Sequence, residues 1–142
     1  MASTTKERPV FRNIHVSQIL RYRLPPAGIV SILHRVSGAM MFLLLPFVIW
    51  LFDTSVTSEV SYERFTGAFI FGIGVLPGWF MKLVALALIW GFLYHFVAGV
   101  RHLWMDVTHS VTRAQGQQSA VAVLALSTVL TLALGAKLFG LY

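Results

Sequence analysis

Ser31, His34, Arg35 and Gly38 stand at i, i+3, i+4 and i+7, and Gly91, His95, Gly99, His102 and Asp106 at i, i+4, i+8, i+11 and i+15. Each spacing places its residues on one face of a helix. The first set gathers a hydroxyl, an imidazole and a guanidinium, which can donate hydrogen bonds to a carbonyl and stabilise negative charge developing on it. The second interleaves imidazoles and a carboxylate with glycines. An imidazole of this kind can ligate a metal, and the small residues (Gly91, Ala98 and Gly99) leave a flat wall suited to a packed helix or a planar macrocycle.

The elements that must position these groups are apolar. The chain has 142 residues, 57% hydrophobic and 11% charged, which is too apolar for a soluble domain of this length. The composition predicts an all-α membrane protein. A basic arm over residues 1–28 precedes a membrane domain over 29–142, with transmembrane helices at about 29–52, 79–105 and 119–139. The first run, Ile29 to Phe52, is roughly 36 Å long as a helix and is expected to kink at Pro46. The connection 53–78 holds a short apolar stretch, Phe65–Leu76, weakened as a helix by Gly67, Gly72 and Gly74, and reads as interfacial or re-entrant. A polar link is expected around Arg113–Gln118.

Charge sets the orientation. The net charge is +6, and Lys6, Arg8, Arg12, Arg21 and Arg23 crowd ahead of the first apolar run. These read as topology and membrane-surface signals rather than a nucleic-acid site. The first 28 residues lack an apolar core, so a retained arm is expected rather than a signal peptide. The connection 53–78 is net acidic, so the positive-inside rule places the N-terminus and the second link in the cytoplasm or matrix. The start of helix one and the end of helix two then share a membrane face, where the two polar sets can meet. With no cysteine, disulfides, iron–sulfur ligation and thioether haem attachment are excluded within the chain.

Each set has a plain reading beside a functional one. Arg35 can snorkel to the headgroups while Ser31 starts the helix, or the two can hold the polar head of a quinone. His95, roughly 10 Å deeper than His102, is either a hydrogen-bonded packing residue or a haem ligand. His34 and His102 are expected nearer the surface, so a bis-histidine haem would need its second ligand from another polypeptide. Arg101, His102, His34 and Arg35 can bind propionates. Asp106 is a headgroup-zone charge, a partner for Arg101 or Arg35, or a proton relay.

The run Ser31-Ile32-Leu33-His34-Arg35-Val36-Ser37-Gly38, the earlier Arg8-Pro9-Val10, and His95-x-x-x-Gly99-x-Arg101-His102-Leu103-x-x-Asp106 together resemble the cytochrome b subunit of succinate dehydrogenase, its larger membrane anchor. The resemblance implies a four-subunit complex in which a flavoprotein oxidises succinate and an iron–sulfur subunit passes electrons to ubiquinone. Two small anchors would hold the quinone site and haem b within a shared helical bundle. It implies that His95 is the axial iron ligand, that Ser31 and Arg35 line the quinone site, and that His34 lies near the haem propionates. Arg101, His102 and Asp106 match the motif. The second ligand would come from the other anchor, the basic arm would face the soluble subunits, and no succinate or flavin site is expected here. A bacterial cytoplasmic membrane, with the N-terminus inside, is the expected location rather than the mitochondrial inner membrane. The alternatives are a fumarate reductase anchor, a small transport or proton-relay subunit, and a purely structural anchor.

Overall fold

The computed structural model describes residues 15–109 and 112–142, the side chains of residues 19 and 20 excepted. Lys6, Arg8, Arg12 and the Arg8-Pro9-Val10 segment lie outside the described residues. Those described form helices α1 (Val16–Arg21), α2 (Pro26–Leu43), α3 (Leu45–Val56), α4 (Glu59–Ile70), α5 (Gly78–Thr108) and α6 (Arg113–Leu138), with no strand among them. The protein is an all-α membrane protein. Three helices, α2, α5 and α6, are long and apolar enough to cross a membrane.

Local chemistry explains the boundaries. Pro25 is extended and Pro26 opens α2, where a missing N–H costs nothing because the first turn has no acceptor for it. The expected kink appears as a break at Leu44, two residues before Pro46, and the chain then continues helically to Val56. The proline ring crowds the carbonyl four residues back, so the disruption falls on the preceding turn.

The stretch after α3 is more helical than its glycines suggest. Ser58 and Ser61 form a reciprocal capping box, at 3.2 and 2.9 Å, that starts α4. Gly67 lies within that helix, and only Gly72 and Gly74, with φ of +99° and +58°, sit in the turn that follows. That turn is closed by two backbone bonds between Ile73 and Leu76. A Cβ at Gly72 would collide with the Leu76 carbonyl, so a glycine is required there. Likewise Thr112 and Gln115 cap each other and start α6 at Arg113, so the polar segment expected as a link is helical.

The helix α5 packs on α2 and α6, with α4 outside against α3 and α5. Val30, Tyr94, Ala98, Ala120 and Val123 form the buried centre where α2, α5 and α6 meet. Most other large apolar side chains are exposed, as befits a surface whose surroundings are lipid or other subunits.

Candidate functional site

The α2–α5 contact positions the chemistry. Met40 lies against Gly91, Ser37 and Gly38 against His95, and His34 against Gly99. Rising numbers on α2 meet falling numbers on α5, so the two helices are antiparallel. The sequence repeats a pattern at the crossing: His34-x-x-x-Gly38 on α2 and His95-x-x-x-Gly99 on α5. Each imidazole lies over the glycine of the opposite helix. A Cβ on Gly38 would stand 3.0 Å from His95 Cε1, and one on Gly99 would stand 4.0 Å from His34 Nε2. A side chain at Gly38 would press on the His95 ring, whereas a first carbon at Gly99 would stand at ordinary van der Waals distance.

His95 is held by atoms of α2. Its Nδ1 is 3.1 Å from the His34 carbonyl oxygen and 3.3 Å from Ser37 Oγ. A carbonyl only accepts, so Nδ1 carries the proton and Nε2 carries the lone pair. An axial ligand of haem iron needs this state: one bare nitrogen, with the other N–H donated to a fixed acceptor. His95 therefore fits the ligand role by its donor chemistry. Among the described residues no group of three or more His, Cys, Asp or Glu is placed to hold a metal ion on its own. A haem, whose ring supplies four nitrogens, asks the protein only for axial positions.

The expectation that His34 sits well above His95 is corrected. The two rings stack with centroids 4.0 Å apart and planes 22° apart, and the ring of His102 lies 5.2 Å from His34 on the other side. Three imidazoles thus form a row leading from the interior to an exposed residue, because the long His34 side chain and the room over Gly99 offset the residue's place near the start of α2. The Nε2 of His34 is enclosed and has no hydrogen-bond partner among the described residues.

Ser31 is half-buried and Arg35 exposed, one turn apart on α2. Among the described residues neither makes a hydrogen bond or ion pair, so their donors are unspent. The apolar cavity of about 530 Å³ at the α2–α3 bend, lined by Met41, Val48, Ile89, Phe92 and Leu134, offers no comparable donor. Ser31 and Arg35, by contrast, carry hydrogen-bond donors.

Arg101 points elsewhere. Its Nε donates to Ser119 Oγ at 2.9 Å and its Nη2 to the Gly116 carbonyl at 3.0 Å, both on α6. Asp106 is exposed and pairs with neither Arg101 nor Arg35 among the described residues. Two residues not singled out in the sequence matter here. Ser37 is fully buried and donates to the His34 carbonyl at 2.9 Å, and Tyr94 is 1% exposed and donates to the Val30 carbonyl at 3.1 Å. Their signal is a polar group on the inward phase of an apolar helix beside a site residue.

Fold and site together define a helical membrane protein whose α2–α5 seam carries an imidazole held through Nδ1. The family of succinate dehydrogenase/fumarate reductase transmembrane subunits has a model that matches residues 4–134, and the chain belongs to that family. It is 32% identical over 109 residues to the succinate dehydrogenase cytochrome b556 subunit of Paracoccus denitrificans, covering 77% of this chain and 78% of that one. It is 30% identical over 111 residues to the protein of the same name from Coxiella burnetii (strain RSA 493 / Nine Mile phase I), covering 78% and 84%.

Proposed function

We propose that the chain is the electron-transferring membrane anchor of a succinate:quinone oxidoreductase. In this reading it binds haem b jointly with a second small anchor subunit and helps form the ubiquinone-reduction site. The observation that carries it is the lock on His95, whose Nδ1 proton is engaged by the His34 carbonyl while Nε2 is left for iron. His95 would hold the haem iron from this chain, and the other anchor would supply the second ligand. Haem b, when bound, supplies a one-electron centre within the membrane.

The remaining residues take roles that follow from their placement. His34, with its unpartnered Nε2, and exposed His102 stand beside His95 for the acidic edge of the haem. Ser31 donates to one quinone carbonyl, and Arg35 balances the negative charge that accumulates on reduction. Arg101 braces α5 on α6 through its Nε and Nη2, and its remaining donors are the ones it could offer a propionate. Asp106, exposed at the same end of α5, relays protons to the site or lies in the headgroup zone. The basic arm faces an iron–sulfur subunit and a flavoprotein on the cytoplasmic side of a bacterial membrane. The two bacterial relatives and the charge bias support that location.

Two measurements on the purified complex test the reading. The reduced complex should show a b-type haem spectrum that His95→Leu abolishes. Arg35→Leu should abolish quinone reduction while succinate oxidation by an artificial dye persists. A colourless parental complex that still reduces quinone would overturn the haem assignment, and an Arg35→Leu variant with full quinone reduction would overturn the quinone assignment.

A further inference from the structure

We infer that Ser37 is a positioning residue for His95, fixing its tautomer and ring orientation and thereby tuning the iron it ligates. The inference rests on the haem reading above and deepens it. Ser37 has no exposed surface, and its hydroxyl lies inside the α2–α5 contact. Its proton goes to the His34 carbonyl at 2.9 Å, which turns its lone pairs outward, and His95 Nδ1 lies 3.3 Å from them. The same Nδ1 is 3.1 Å from the same carbonyl. One N–H is therefore shared between two oxygens that are tied to each other. A ring flip would put Cδ2 where Nδ1 now stands and forfeit the bonds to both oxygens, so one orientation is favoured. A Cβ on Gly38 would stand 3.0 Å from Cε1 and 3.3 Å from Nδ1, so the backbone of α2 passes close along this edge of the ring.

Acceptors at the far nitrogen make an imidazole a stronger donor to its metal, which favours the oxidised iron. Loss of the Ser37 oxygen weakens that push. The test is the midpoint potential and low-temperature EPR spectrum of the haem in the purified complex, for Ser37→Ala, Ser37→Cys and, as a control, Ser127→Ala. Ser127 is also a buried serine, 1% exposed, but it bonds only within α6. Ser37→Ala should keep its haem and shift toward the reduced form, by up to ~10-fold in the reduced-to-oxidised ratio at fixed potential, equivalent to ~59 mV for one electron. Ser37→Cys, a weaker acceptor of similar size, should fall between, and Ser127→Ala should match the parent. A parental potential and spectrum in Ser37→Ala would overturn the inference while leaving the haem reading intact. Haem retained in His95→Leu would overturn both. Should the alanine variant not assemble, the cysteine variant decides by the same measure.

Discussion

Two seams of helix α5, one with α6 and one with α2, use polar groups differently. Against α6, every polar side chain named is spent inside the protein. Arg101 bonds Ser119 and the Gly116 carbonyl, Ser127 bonds back to the Val123 carbonyl, and Thr131 to the Ser127 carbonyl. Against α2, Tyr94 and Ser37 are spent on the Val30 and His34 carbonyls, but among the described residues His34 Nε2 has no partner and His95 is held through Nδ1 alone; Ser31 and Arg35, on the same helix α2, make no hydrogen bond or ion pair among the described residues. Polar groups in apolar surroundings are costly unless satisfied. A seam that satisfies its own groups serves packing, and one that leaves a buried nitrogen unpartnered keeps an atom to offer a ligand.

The comparison breaks most sharply at Gly38. A Cβ there already crowds His95 Cε1 at 3.0 Å, so Gly38→Leu must push the imidazole off its acceptors or part the helices. Haem should be lost from the purified complex, measured by the reduced-minus-oxidised spectrum, while the chain still reaches the membrane. Full haem content in this variant would mean that the α2–α5 seam does not hold the site.

The two seams were unequally legible in the sequence. Apolar runs announced the three spans, and helical spacing placed His34, His95 and His102 on facing stripes, because periodicity is a property of each helix alone. The stacking of His34 on His95 was not legible. It depends on the crossing that Gly38 and Gly99 permit, which no single-helix depth estimate contains. Arg101 lies in the same motif as His102 yet turns to α6, since a step of one residue rotates a helix by about 100°. The start of α6 was present as Thr112-x-x-Gln115, but the polar run after it has the composition of a loop. The α4 cap uses Ser61 where the usual pattern has Glu or Gln, so no signature marked it.

On the α6 side the expected effects are energetic. Arg101→Leu removes two hydrogen bonds from a charged donor and leaves the Gly116 carbonyl with less to accept. A loss of about 2 kcal/mol is expected, read as a lower thermal unfolding midpoint of the detergent-solubilised complex. The haem spectrum should be unchanged, because among the described residues the Arg101 guanidinium bonds to α6 and to none of the three imidazoles. A lost haem with unaltered stability would instead assign Arg101 to a propionate. Tyr94→Phe comes next. It deletes one buried bond to the Val30 carbonyl across the α2–α5 seam and nothing else of size. Interhelical bonds in membranes are worth ~0.6 kcal/mol on average, so a small destabilisation with full haem content is expected.

The smallest effect belongs to Ser127→Ala, and its smallness is informative. Ser127 is as buried as Ser37, and by burial alone the two serines are equivalent. Their partners separate them. Ser127 Oγ bonds to Val123 and Leu124 carbonyls of its own helix, groups that already accept helical backbone N–H bonds, so alanine orphans no group and removes only a local bond. A change within about 0.5 kcal/mol is expected in the thermal unfolding of the complex. Ser37 touches an imidazole of the opposite helix, and its removal alters what that imidazole can do. Equal losses of stability in the two variants, with equal potentials, would erase the distinction between the seams. Unequal potentials with similar stabilities would place the difference in chemistry rather than in packing.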